Sequence, residues 1–385
     1  MPYNFDQSPD RRPTESLKWN YYEPDVLPMW VADMDFTAPE VVIQALHERV
    51  AHGVFGYPIQ MPELIESARD WLHQRYAWDV AADDILFLPG VVNGFNLAAH
   101  ALAEADMAAL IQPPVYPPFL RTPANAGLMR QEAELVYTPQ GYGIDFDAFE
   151  AAITPQTGLF ILCNPHNPVG RVFTRQELEK MAAICLEHRV VICSDEIHCD
   201  LTFDGFPHIP IASLDAEIAQ HTITLMAPSK TFNIAGLHCS LAIVPNRALR
   251  QKLQAARRGL VDGVNLLGQV AALAAYQHGQ DWLAALLQYL QANRDYLYDY
   301  VQRELPGISM IRPEATYLGW LDCRKSRAAA DPAKFFLEKA RVGLNDGKDF
   351  GRGGEGFVRL NFGCSRALLQ QTLEQMKHAL LNAAD

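Results

Sequence analysis

Short apolar runs alternate with amphipathic stretches along most of this chain, and the apolar runs end abruptly in polar or turn-forming residues. Residues 85–88 run into Pro89-Gly90, residues 158–163 stop at Asn164-Pro165-His166-Asn167, residues 189–193 stop at Ser194-Asp195-Glu196-Ile197-His198, and the run at 224–226 leads to Ala227-Pro228-Ser229-Lys230. Continuous apolar runs of this length read as strands buried on both faces. Between them, residues 176–187 read as a helix. Residues 281–301 place Leu283, Leu286, Leu287, Leu290 and Leu297 roughly on one helical face, which predicts a long amphipathic helix bridging to a second domain. Strand and helix patterns alternate from about residue 50 to about 285, so the predicted fold is α/β, with a mostly parallel central sheet flanked by helices. The expected division is a large domain over 49–285 and a smaller α+β domain made of 1–48 and 286–385.

In such a sheet the carboxyl ends of the parallel strands open on one edge, where ligands bind. Asn167, Asp195, His198 and Lys230 are therefore expected to converge. Each has a plainer reading alone: an Asp after a strand caps a helix, a lone His packs, Asn-Pro makes a turn, and a Lys caps a strand end. Lys230 is the least ordinary of them. No other Lys or Arg and no acidic residue lies between Glu217 and Arg247, so it is read as a functional amine able to form an imine.

An amine, an acid, and an amide with an imidazole are the set that pyridoxal phosphate requires. The lysine bonds the cofactor, the carboxylate keeps its ring nitrogen protonated, and the amide reaches its phenolic oxygen. Residues 84–102 add a strand, a glycine turn at Gly90 and a helix, which aims free amides at an anion.

Asn167-Pro168-Val169-Gly170, Ser194-Asp195-Glu196-Ile197-His198 and the run from Pro228 to Leu237, in that order and spacing, resemble the fold-type I pyridoxal-phosphate enzymes related to aspartate aminotransferase. The segments 28–36, 114–119 and 356–366 narrow the resemblance to cystathionine β-lyases of the MalY/PatB type, over nearly the whole chain. The resemblance implies that Lys230 is the Schiff-base lysine, Asp195 the partner of the ring nitrogen and Asn167 that of the ring hydroxyl. His198 stands where many aminotransferases have tyrosine. Tyr116 would stack on the ring, the Val91 and Val92 amides with the Ser229 hydroxyl would hold the phosphate, and Arg359 would clamp the substrate carboxylate. Tyr57 matches a tyrosine that reaches the phosphate of a neighbouring subunit, which implies a homodimer with shared sites. Ala227 replaces a commonly hydroxylated residue of the phosphate cup, His238 stands where many relatives have arginine, and Ser365 where relatives often have proline.

The residues themselves leave alternatives. Arg359 lies in a strand-like run and could be an edge-strand charge, but an unpaired buried guanidinium is costly, which favours function. Tyr116 and Tyr57 could be turn aromatics, and Asp33 and Asp35 turn and cap residues. The resemblance implies β-elimination from cystathionine or another cysteine S-conjugate, giving pyruvate, ammonia and a thiol. Two other readings stand beside it: an aminotransferase sharing the same early steps, and a regulatory protein-binding role of the MalY type.

Composition bounds these expectations. The 385 residues are 49% hydrophobic, enough for two cores, and 32 basic against 45 acidic side chains give a net charge of −13, which argues against nucleic acid as a partner. Seven cysteines without a CxxC pair read as reduced core thiols in a cytoplasmic protein. Neither a leader nor a membrane span is legible. His47 and His52 are five apart, not the four of a helical zinc site, so no metal is expected.

Overall fold

The computed structural model describes residues 3–382. Its centre is a seven-stranded sheet built from β1 (Ile85–Leu88), β2 (Ala108–Ile111), β3 (Met129–Glu132), β4 (Thr157–Cys163), β5 (Val191–Asp195), β6 (Thr222–Met226) and β7 (Ser240–Ile243), in the spatial order β1-β7-β6-β5-β4-β2-β3. Only β7 runs antiparallel to its neighbours. The sheet is thus mostly parallel, and the predicted apolar runs form strands buried between helices on both faces, whereas the edge strand β3 is polar and partly exposed. β5 runs through Asp195, two residues beyond its expected end, because its ladder with β4 continues to the Cys163↔Asp195 pair.

Side-chain alternation decides what each strand end presents. Leu159, Ile161 and Cys163 of β4, Cys193 of β5 and Ile223 and Leu225 of β6 pack on one face, whereas Phe160, Leu162 and Ile192 pack on the other. By the same period of two, Asp195 joins the face of Cys163 while Asn164 and Ser194 turn to the opposite one.

The helices that matter for the site are α1 (Pro62–Tyr76), α2 (Val91–Leu102), α3 (Arg175–Glu187), α4 (Pro228–Thr231), α5 (Gln280–Glu304) and α6 (Arg366–Asn382). α2 lies over the Asp195 face, where Gly94 is required: a β-carbon there would come within 2.7 Å of Leu225 Cδ2. α3 starts on a capping box, the Thr174 side chain with Glu177, and buries Leu178, Met181 and Cys185 on the other face. α5 buries Leu283, Leu286, Leu290 and Leu297, four of the five leucines placed on its apolar face, and Leu287 is half-buried.

A second sheet, β8 (Ser309–Met310), β9 (Leu318–Asp322), β10 (Asn345–Asp346) and β11 (Phe357–Asn361), has the order β8-β9-β11-β10 and is antiparallel. β11 is therefore an internal strand, not an edge. The N-terminal segment runs beside it: Asn361 N–H donates to the Met29 carbonyl and Asp35 N–H to that of Gly363. Positions 49 and 285 both fall inside helices, Glu40–Ala51 and α5.

Candidate active site

Four chain segments meet at the carboxyl edge of the large sheet around a cavity of about 360 Å³. Cys163 and Asn167 come from the end of β4, Asp195 and His198 from the end of β5, Ser229 and Lys230 from α4 after β6, and Arg359 from β11. Gly90, Val91, Val92 and Tyr116 close one side, and Val31 and Ala32 of the N-terminal segment close another. Two larger surface clefts, of about 600 and 650 Å³ near Arg312 and Glu314, gather none of these groups.

Lys230 Nζ donates to the Ala32 carbonyl at 2.5 Å, and the Tyr317 hydroxyl donates to the same oxygen at 2.9 Å. Burial pushes the amine down to about 8, opposed by the charge of Asp33, with Arg359 lowering it further and Asp195 raising it. Asp195 is buried; desolvation raises its carboxyl to about 7 although the Ile197 N–H donates to it at 3.1 Å. Desolvation also holds His198 neutral, at about 3, and its buried Nδ1 has no hydrogen-bond partner among the described residues. Tyr116 is raised from its ordinary value by burial first and by the charge of Asp195 second.

Arg359 is buried at the centre of this polar wall. Its Nη1 donates to Asn167 Oδ1 at 3.0 Å, and its Nη2 donates to Asn345 Oδ1 at 2.7 Å and to the Trp30 carbonyl at 3.1 Å. Burial lowers its pKa to about 10, so it stays cationic at neutral pH, and its Nε has no hydrogen-bond partner among the described residues. The edge-strand reading of this residue is thereby overturned: β11 has a partner strand on both sides.

The segment carrying the Ala32 carbonyl is pinned by two asparagines and an ion cluster. Asn361 Nδ2 donates to the Val31 and Asp33 carbonyls, both at 2.7 Å, and Asn233 Nδ2 donates to those of Met34 and Phe36. Asp35, fully buried, accepts from Lys18, Arg11 and Trp19, and Asp33 pairs with Arg11 at 2.7 Å. Asp33 and Asp35 thus do more than shape a turn: Asp33 adds negative potential at Lys230 and Asp35 locks the segment in place.

Nine of the ten predicted site residues line one cavity. These are Val91, Val92, Tyr116, Asn167, Asp195, His198, Ser229, Lys230 and Arg359. Ala227 and His238, the positions where the sequence departs from the expected pattern, line it as well. Tyr57 does not; its side chain is fully exposed, beside a separate cleft with Phe87, Arg257 and Asn265. Sequence reasoning missed Tyr317, Asn345, Asn361 and the Ala32 carbonyl. Asn233, within the lysine motif, and Ala32 and Asn361, within the segments 28–36 and 356–366 that carry the resemblance, stood in marked stretches; Tyr317 and Asn345 carried no signal.

The donor set suits a flat, anionic, heteroaromatic ligand. α2 offers first-turn amides that have no intrahelical acceptor, since its first helical bond runs from Gly94 N–H to the Gly90 carbonyl. The unpartnered His198 Nδ1 and Arg359 Nε, a buried carboxylate and an amine of lowered basicity leave polar valences that pyridoxal phosphate and an amino acid would satisfy.

Fold and site together define a class: the chain belongs to the family described as aminotransferase class I and II, whose pattern matches residues 24–376. Within that class, it is 42% identical to the cystathionine beta-lyase PatB of Bacillus subtilis, over 98% of this chain and 100% of the relative. It is 31% identical to the protein MalY of Escherichia coli, covering 98% and 99% of the two chains. Among solved structures, the PLP-bound C-S lyase of Staphylococcus hominis is 35% identical, covers 100% of both chains and superposes with a TM-score of 0.93.

Proposed function

We propose that this chain is a pyridoxal-phosphate-dependent carbon–sulfur lyase that cleaves L-cystathionine or a related cysteine S-conjugate to pyruvate, ammonia and a thiol. The reading is carried by the convergence of Lys230, Asp195, Asn167 and Arg359 on one cavity, in a chain that matches named cystathionine β-lyases over 98% and 95% of its length.

Bound here, the cofactor would supply an electron sink for a carbanion at the substrate α-carbon. The chain's own residues would do the rest. Lys230 would hold the cofactor and then, as a neutral amine, take the α-proton; its lowered pKa makes that form accessible near neutral pH. Asp195 would pair with the ring nitrogen, the positive partner that offsets the cost of a buried carboxylate. Arg359 would receive the substrate carboxylate on a guanidinium already aligned by Asn167, Asn345 and Trp30. Tyr116 would cover the ring, the Val91 and Val92 amides with the Ser229 hydroxyl would take the phosphate, and His198 would act as a neutral hydrogen-bonding group.

The same reading includes a homodimer, in which Tyr57 reaches the partner's cavity; its full exposure beside exposed Val54, Phe55 and Ile59 supports this. It also includes a large domain over 49–285 with the remainder forming a small one, and a cytoplasmic location, in keeping with seven buried free thiols. Among the described residues no helix is long and apolar enough to cross a membrane.

The deciding experiment supplies the cofactor-loaded protein with L-cystathionine and no oxo acid. Equal, continuing release of pyruvate and thiol establishes β-elimination. Turnover that starts only after an oxo acid is added makes the chain an aminotransferase and removes the lyase reading.

A further inference from the structure

Beyond the cavity wall, a single buried carboxylate ties two of the segments that build the site, the His198 loop and the Lys230 turn, to helix α1. Asp200 lies two residues past His198. Its Oδ2 accepts from the Thr231 hydroxyl at 2.8 Å; its Oδ1 accepts from the Tyr76 hydroxyl at 2.5 Å and from Trp71 Nε1 at 3.2 Å. Arg75 Nε lies 2.8 Å from the same oxygen. Trp71, Arg75 and Tyr76 all belong to α1, whereas Thr231 directly follows Lys230 and is fully buried.

The geometry matters because α4 is a single turn of four residues. One turn does not hold itself by its own hydrogen bonds, so the direction of the Lys230 side chain is set by outside anchors. Asn233 fixes the turn to the N-terminal segment, and Phe232 is buried in the core. The Thr231 hydroxyl on Asp200 is the anchor nearest in sequence to Lys230, and a hydroxyl donating to a carboxylate is a charge-assisted bond.

We propose that Asp200 is a positioning residue for Lys230. Acting through the Thr231 hydroxyl, it fixes the rotation of the lysine turn and so the place from which Nζ works. α1 and the His198 loop hold Asp200 still, and Thr231 passes that rigidity to the reacting amine. The proposal rests on Lys230 being the cofactor-bearing lysine. Borohydride reduction of the wild-type holoenzyme, followed by peptide mass spectrometry, tests that premise separately: a cofactor fixed at any other residue removes the premise whatever the variants below do.

The test compares Thr231→Val, which keeps the shape and loses the donor, with Thr231→Ser, which keeps the donor. Each holoenzyme is assayed with L-cystathionine for kcat and KM, and the visible absorbance of its lysine-bound cofactor is titrated with pH. A misplacement on the order of 1 Å costs up to about 10²-fold in rate. Thr231→Val should therefore lower kcat by about tenfold with KM little changed, and move the titration midpoint; Thr231→Ser should restore most of both. A merely structural role would lower the melting temperature and leave kcat and midpoint of the folded molecules alone. Wild-type kcat and midpoint in Thr231→Val, or equal losses in Val and Ser, overturn the proposal. If Thr231→Val does not fold, Thr231→Ala, which also removes the donor to Asp200, carries the same readouts, and wild-type values there overturn it equally.

Discussion

Arg359 donates from Nη1 to the side-chain oxygen of Asn167 at 3.0 Å, joining a strand of the second sheet to the loop that ends β4. The proposed substrate clamp is thus held in place by a proposed cofactor contact. A lysine at 359 would keep the charge and lose the planar fork that reaches Asn167, Asn345 and Trp30 together. Arg359→Lys should raise KM for the amino acid by about 100-fold and change kcat by less than about tenfold. Steady-state kinetics checks this, and an unchanged KM would remove Arg359 from substrate binding.

The amine of Lys230 attacks only when neutral. Burial lowers its pKa to about 8, so the charged form dominates below that value and the neutral form above it. At pH 7 roughly a tenth of the amine is neutral, against far less than a hundredth for an ordinary lysine. The rate at which cofactor-free protein captures pyridoxal phosphate should therefore climb with pH and level off above about 8. Stopped-flow absorbance reads this directly. A rate still rising steeply at pH 10 would mean that the amine is not held down by its site.

Asp195 carries a cost in the cofactor-free protein. Its folded pKa, about 7, lies above the ordinary 3.8, so the folded state binds a proton that the unfolded state releases. Stability from this group is then lost as pH rises from about 4 to 7, and the loss, a few kcal/mol, persists above 7. Asp195→Asn should raise the melting temperature of the cofactor-free protein at pH 8, leave it nearly unchanged at pH 4, and lower kcat by at least about 100-fold. Melting curves at the two pH values separate this from a general packing effect, which would be the same at both.

Much of the site is legible in the order of residues along the chain, and the reason is topological. Asn167, Asp195 and Lys230 follow apolar runs directly, and a parallel sheet leaves one edge for such residues to share. The alternation that sends Asp195 to the α2 face and Ser194 away from it also follows from register. What stays hidden depends on contacts between distant segments. The acceptor of Lys230 is a backbone carbonyl, at Ala32, and any residue has one. Tyr317 and Asn361 acquire their roles only when the N-terminal segment is laid across the small sheet, and Asn345 only when its side chain meets Arg359 of the neighbouring strand. The buried Lys18–Asp35 pair has no signature in the sequence because 17 positions separate the two.

Tyr57 provides the sharpest test of the shared site. It stands outside the cavity of its own chain, exposed on a loop that leads into α1. If it completes the partner's site, Tyr57→Ala should weaken cofactor binding, and Lys230→Ala should abolish activity by removing the amine. Mixing the two variants then has a particular outcome. In a mixed dimer the Tyr57→Ala subunit keeps its own Lys230 and receives an intact tyrosine from the other chain, so one of the two sites is wild type. At limiting cofactor, subunit exchange should raise activity above the sum of the separate variants, toward about a quarter of the wild-type value if subunits mix at random and dimers form symmetrically. Activity that never exceeds the sum would place Tyr57 outside the partner's site and leave each chain to bind its cofactor alone.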